Sequence, residues 1–124
     1  MPLEGKPLAL LGESDRELCA VLAGILERQG IAVFVTNTPD EFLDSLDMHH
    51  AAVDLVCING SLASERGGLL ISKAKDASKN VKVVVVAEKD DQRADILRYG
   101  ADEFMLRPVS PDAIASMIVA LIVK

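Results

Sequence analysis

Val81-Lys82-Val83-Val84-Val85-Val86 is the most aliphatic run in the chain, and its reading decides the fold. Consecutive valines leave no polar face, as expected of a strand covered on both sides of a parallel sheet. Such a strand belongs in a sheet interior, with neighbours on either side. Outward from it, apolar runs and helical patterns alternate to both ends of the chain, the sequence form of repeated βα units. Upstream, Leu8-Ala9-Leu10-Leu11 closes at Gly12, Ile31 to Val35 follows a helix stopped by Gly30, and Val53 to Ile58 leads into a loop through Gly60 and Ser61. Downstream, Glu103-Phe104-Met105-Leu106 forms the fifth run.

Between these runs the helix signals are local. Ser14 or Asp15 can cap a helix reaching Gln29, with Leu18, Val21, Leu22, Ile25 and Leu26 on one face. Thr38-Pro39-Asp40-Glu41 starts a second helix, with Pro39 in its first turn. A third is expected from about Arg66 to Ala77, with Gly67-Gly68 in the loop that starts it. A fourth, short and charged, carries Ala94, Ile96 and Leu97 and ends at Gly100, and Ser110-Pro111-Asp112 opens the last. Right-handed crossovers place helices on both faces of the sheet. The expectation is one doubly wound α/β domain with a five-stranded parallel sheet, flavodoxin-like, in the order 2-1-3-4-5. Its functional crevice lies at the carboxyl ends of the first and third strands.

The chain of 124 residues is 50% hydrophobic but only 3% aromatic, without Trp, so the core is built from Val, Ile, Leu and Ala. A net charge of −6 argues against nucleic acid or anionic lipid as the main partner. Cys19 and Cys57 lack CxxC or metal-ligand spacing and read as two small hydrophobes in a reducing cytoplasm. No signal pattern and no membrane-length apolar stretch occurs, so the expected location is cytoplasmic. His49 and His50 are adjacent, diverge on a helix, cannot form a zinc pair and read as solvated. The run Glu88-Lys89-Asp90-Asp91 reads as a solvated loop and helix start. GxGxxG, GxxxxGK[ST] and GxSxG are all absent, which removes support for a nucleotide-phosphate cradle or a hydrolase elbow.

The expected strand ends read Gly12-Glu13-Ser14-Asp15, Cys57-Ile58-Asn59-Gly60, Val86-Ala87-Glu88 and Gly100-Ala101-Asp102-Glu103-Phe104-Met105-Leu106-Arg107-Pro108. This ordered set resembles the receiver domain of two-component response regulators over nearly the whole chain. The most specific stretch is Gly100 to Pro108, similar to a strand ending in Lys-Pro; Asp54 to Asn59, followed by Gly67, also matches. In that family an acidic pair after the first strand and an aspartate ending the third hold Mg²⁺, and that aspartate accepts the phosphoryl group. A Thr or Ser ending the fourth strand and the lysine of Lys-Pro contact the phosphoryl oxygens.

Here Glu13 and Ser14 stand at the acidic pair with Asp15 beside them, Asn59 replaces the acceptor, Ala87 the hydroxyl residue and Arg107 the lysine. An amide is a far weaker nucleophile than a carboxylate, so Asn59 cannot form an acyl phosphate. Hard Mg²⁺ prefers charged oxygens, of which Glu13 and Asp15 are the remaining candidates. Arg107 keeps the positive charge as a planar fork able to pair with either. The expectation is a pseudo-receiver: not an enzyme, without a cofactor, in a phosphorelay or two-component pathway, acting by protein contact. The rivals are an Mg²⁺-dependent phosphoacceptor using Glu13 or Asp15, and a small-anion sensor anchored by Arg107. Asn59-Gly60 also raises succinimide formation, which would convert Asn59 to aspartate or isoaspartate.

The last helix points to the partner. From Ala113 through Val123 its only polar side chain is Ser116, whereas one packed face needs only one apolar stripe. Ile114, Met117, Ile118, Leu121 and Ile122 are expected to face the sheet, leaving Ala115, Val119, Ala120 and Val123 outward. The resemblance implies an output face made by the fourth helix, the fifth strand and the last helix. Phe104 stands there at the family's aromatic switch position, and the occupant is a protein partner or a second copy. Truncation is the other reading, in which the helix packs on a part of a longer protein.

Overall fold

Strand order in the sheet is β2-β1-β3-β4-β5, every neighbouring pair parallel, as the alternation of runs requires. The computed structural model describes residues 5–65, 68–78 and 80–122. The strands are β1 (Leu8–Gly12), β2 (Ala32–Thr36), β3 (Leu55–Asn59), β4 (Lys82–Ala87) and β5 (Glu103–Leu106). The helices are α1 (Arg16–Arg28), α2 (Pro39–His49), α3 (Gly60–Ser64), α4 (Leu69–Ala77), α5 (Arg93–Tyr99) after a short 3₁₀ turn at Asp90–Gln92, and α6 (Pro111–Ile122).

The period of two along each strand splits the core into two layers. Leu8, Leu10, Val56, Ile58, Val83 and Val85 face α2 to α5, which contribute Phe42, Leu46, Leu62, Leu70, Ile71 and Ile96. Ala9, Leu11, Leu55, Cys57, Val84 and Val86 face α1 and α6, with Leu22, Leu26, Ile114 and Ile118. From Val83 to Val86 β4 is buried on both faces, the interior position its composition demands. No helix among the described residues is long and apolar enough to cross a membrane.

The expected loop through Gly60 and Ser61 is instead a helix, α3. Asn59 caps it, its Oδ1 accepting the Leu62 N–H at 2.9 Å. Asn is a strong N-cap, so a residue weighed for its missing charge and for succinimide formation also starts a helix. Of the third helix expected from Arg66, α4 begins at Leu69; Arg66 and Gly67 lie outside the described residues.

The placement of Ala115 on an outer face is wrong: it is 3% exposed and packs into the layer under α1. Helix α6 is covered by α1 as well as by the sheet, so one stripe does not account for its apolar surface. Val119 is half-buried, Ala120 is exposed, and Val123 lies outside the described residues. His49 is not free in solvent either, because its ring stacks on Phe34 at 4.3 Å between centroids; His50 is exposed.

Both cysteines are free and buried. Burial, and then the charge of Glu13, push the Cys57 thiol up to about 12 and the Cys19 thiol up to about 11. An unfolded thiol titrates near 9.0, so above that pH the unfolded chain has fewer bound protons than the folded one. Stability contributed by these groups is therefore intact below about pH 9 and declines as pH rises toward 11 and 12. A thiol-specific reagent at neutral pH is expected to label both residues only after denaturation; prompt labelling of the folded protein would contradict this burial.

Candidate functional site

Four strand ends converge on one crevice of about 510 Å³, whose lining includes Glu13, Ser14, Asp15, Asn59, Ala87 and Arg107. All of the residues singled out at the strand ends are therefore brought together, Ala87 included. Its position follows from the register Asn59↔Val86, which puts the next residue of β4 at the mouth.

Glu13 is the hub. Its backbone N–H donates to the Thr36 carbonyl at 3.0 Å, holding the chain extended beyond β1. Arg107 Nη2 donates to Glu13 Oε1 at 3.0 Å. Glu13 Oε2 accepts from Asn59 Nδ2 and from the Asp15 N–H, each at 3.0 Å. Asn59 Nδ2 also donates to Ser14 Oγ at 3.2 Å, and its Oδ1 accepts from Ser61 Oγ at 3.1 Å besides capping α3. A carboxylate only accepts, so Glu13 fixes which way the amide points. The Glu13–Arg107 side chains are only 14% and 24% exposed, and their charge-assisted bond is sheltered from the screening that weakens surface pairs.

Asp15 is turned to a different use. Its Oδ1 accepts the Leu18 N–H at 3.1 Å and caps α1, the role the sequence offered to it or to Ser14. The acidic residues after β1 therefore diverge in function: one is neutralised by Arg107, the other starts a helix.

The far wall is equally committed. The Arg107 N–H donates to the Ala87 carbonyl at 2.8 Å, tying the exit of β5 to the end of β4, and the Arg107–Pro108 peptide is cis. Ala87 is 3% exposed and brings no hydroxyl to the crevice. Gly60 seats α3 directly on it: a Cβ at residue 60 would stand 2.5 Å from the Ala87 Cβ and 3.0 Å from its Cα. Only glycine permits that approach, a constraint invisible when Asn59-Gly60 is read as a deamidation pair. Succinimide closure would also require the Asn59 side chain to leave the Leu62 and Glu13 contacts that hold both its ends.

These residues do not fit the Mg²⁺ site that the fold implies. Each Glu13 oxygen is occupied by a donor, Asp15 caps α1, and Asn59 aims N–H rather than charge at the centre. Among the described residues no group of three or more His, Cys, Asp or Glu side chains is placed to hold a metal ion.

Beside the crevice, Phe104 on β5 is half-buried with the Arg93 guanidinium 4.7 Å above its ring, a cation–π contact. Arg93 Nε donates to Asp90 Oδ1 at 2.7 Å, anchoring it to the loop that leaves β4. Sequence reading missed Arg93 because the run around Asp90 looked merely solvated. It named Leu97 and Leu106 only as apolar residues of the fourth helix and fifth strand; they are 42% and 39% exposed on α5 and β5. The alternation of β5 alone would have put Leu106 on the side of Phe104.

A parallel five-stranded sheet in this order, with these residues at its carboxyl ends, defines the class. The chain belongs to the response regulator receiver domain family, whose family model matches residues 9–119, and is a receiver domain of the two-component type. Among curated proteins it is similar to the transcriptional regulatory protein CpxR of Escherichia coli, 25% identical over 115 residues that cover 91% of this chain and 48% of CpxR. The chain thus spans about half the length of the curated relatives it matches. Among solved structures, a two-component response regulator from Clostridium difficile superposes with a TM-score of 0.82 at 19% identity, over 96% of this chain and 98% of that one. An orphan response regulator of H. pylori gives 0.81 at 21% identity, over 95% and 98%. A Burkholderia pseudomallei response regulator solved with a phosphorylated aspartic acid, a calcium ion and citrate gives 0.73 at 22% identity, over 93% and 72%. At these identities the structures share the fold.

Proposed function

We propose that this receiver domain takes no phosphoryl group, performs no catalysis and signals by protein contact. The observation that carries the reading is Asn59 itself: the side chain where the family's acceptor would stand is an amide, and both its ends are occupied by Glu13, Ser14 and the first turn of α3. Neither neighbouring carboxylate is a ready substitute. Glu13 would have to leave Arg107, and Asp15 would have to uncap α1.

The contact surface in this reading is the face formed by α5, β5 and α6, where Leu97, Phe104, Leu106, Val119 and Ala120 are exposed or half-buried. Exposed apolar side chains grouped on adjoining elements suit a protein partner or a second copy of the chain. The net charge of −6 disfavours nucleic acid and anionic membrane as direct partners, and a cytoplasmic location accords with two reduced cysteines.

Incubation with Mg²⁺ and acetyl phosphate, followed by intact mass measurement, tests the chemical half of this proposal. The expected mass is that of the unmodified chain. An acid-stable or acid-labile phosphoryl adduct on any residue would sink it and favour the rival phosphoacceptor.

A further inference from the structure

The remaining edge of the sheet, far from the face just described, carries a second signal. Ala32 N–H donates to the Pro7 carbonyl at 2.8 Å, and Glu13 N–H donates to the Thr36 carbonyl at 3.0 Å. With the unbroken parallel register from Leu8↔Ala32 to Gly12↔Thr36, these bonds turn the backbone groups of Ala32, Phe34 and Thr36 toward β1. Those of Val33 and Val35 therefore point outward, away from every other strand.

Edge strands are ordinarily blunted by lysine, proline, a bulge or a covering segment. Strand β2 reads Ala32-Val33-Phe34-Val35-Thr36, with no charge, no proline and no break in register. Val35 is 42% exposed and Phe34 is half-buried. The other edge, β5, opens with the charged Glu103.

We infer that β2 is a self-association edge, pairing antiparallel with β2 of a second copy about a twofold axis at Phe34. The register follows from the outward groups: Val33 opposes the second copy's Val35 and Val35 its Val33, so that two residues per copy exchange roughly four backbone hydrogen bonds. Phe34 then meets its own mate as the non-hydrogen-bonded pair, where side chains lie closest and aromatic pairs contribute. An uncharged strand whose outward groups are symmetric about its central residue is complementary to itself, and a second copy supplies the matching edge without charge opposition inside the strand. A strand this short buries less than the roughly 1,200 Å² of a standard stable interface, so the dimer is weak and reversible. The net charge of −6 on each copy opposes association, which therefore strengthens as salt is added.

Sedimentation of the full chain across a wide concentration range, with hydrogen–deuterium exchange at both extremes, tests this. At low concentration the Val33 and Val35 amides should exchange freely while those of Ala32 and Phe34 are protected; at high concentration all should be protected. Val35→Lys should weaken association by about tenfold or more, whereas Leu97→Glu, on the α5 face, should leave it unchanged. Val33→Pro removes an outward donor and no bond to β1, so it should abolish the dimer in a protein whose circular dichroism is retained. Exchange protection needs no variant to fold. A chain that stays monomeric throughout, a dimer broken by Leu97→Glu but not by Val35→Lys, or Val33 and Val35 amides protected only by an added extended peptide would overturn the inference. The first and last outcomes leave the reading of Asn59 untouched, and the second transfers the dimer to the α5 face.

Discussion

Replacing Phe42 by alanine is expected to cost about 3–5 kcal/mol. Phe42 is fully buried on α2, and it is the largest side chain in a core poor in rings. Its ring lies over the end of β1, where a Cβ on Gly12 would stand only 2.9 Å from Cδ1. Loss of the ring therefore opens a cavity directly beneath the backbone that delivers Glu13. Against a usual domain stability of about 5–15 kcal/mol, that is a large fraction of the total. Denaturant unfolding should show a lower midpoint with an unchanged slope; a midpoint within experimental error of the parent would mean that α2 does not clamp β1 as described.

Asn59→Asp, the substitution that restores a carboxylate at the end of β3, is expected to destabilise the domain by about 1–3 kcal/mol at neutral pH. The amide donates to Glu13 Oε2 at 3.0 Å, and an aspartate would replace that bond with two like charges in contact range. The capping of α3 through Leu62 survives, since a carboxylate oxygen also accepts, so the loss isolates the electrostatic part. Facing carboxylates hold a proton more tightly than either does alone, so the folded variant would bind more protons than its unfolded chain. Its deficit relative to the parent should accordingly shrink as pH falls. Paired unfolding curves at neutral and mildly acidic pH check both sign and size. A variant as stable as the parent at neutral pH would mean that the Asn59–Glu13 bond contributes nothing.

The fold was legible because its signals are local and repeated. Val81 to Val86 announces an interior strand, Thr38-Pro39 and the Ser14-Asp15 pair announce helix starts, and the alternation of runs leaves little choice of topology. The site residues were legible because strand ends in such a sheet must converge at one crevice. What the sequence did not yield were facts about pairs of elements. Whether Ala115 faces solvent depends on where α1 lies across α6, and no periodicity within α6 reports that. Helix α3 is only five residues long, too short for a hydrophobic period to register, and its start depends on an Asn side chain whose cap is a matter of geometry. The necessity of glycine at residue 60 comes from Ala87, distant in sequence, and the role of Arg93 from an aromatic ring on the next strand.

The account rests on one crevice whose polar groups are satisfied by one another rather than poised for phosphate. Beryllofluoride with Mg²⁺, followed by two-dimensional amide NMR of the full chain, tests that most directly, because it asks the pocket to close on a phosphoryl mimic without requiring a covalent bond. The account predicts that the amides of Glu13, Asn59, Gly60, Ala87 and Arg107 keep their positions at saturating reagent. Concerted shifts of those amides together with residues of α5 and β5 would contradict it, and would return the domain to phosphate-dependent switching.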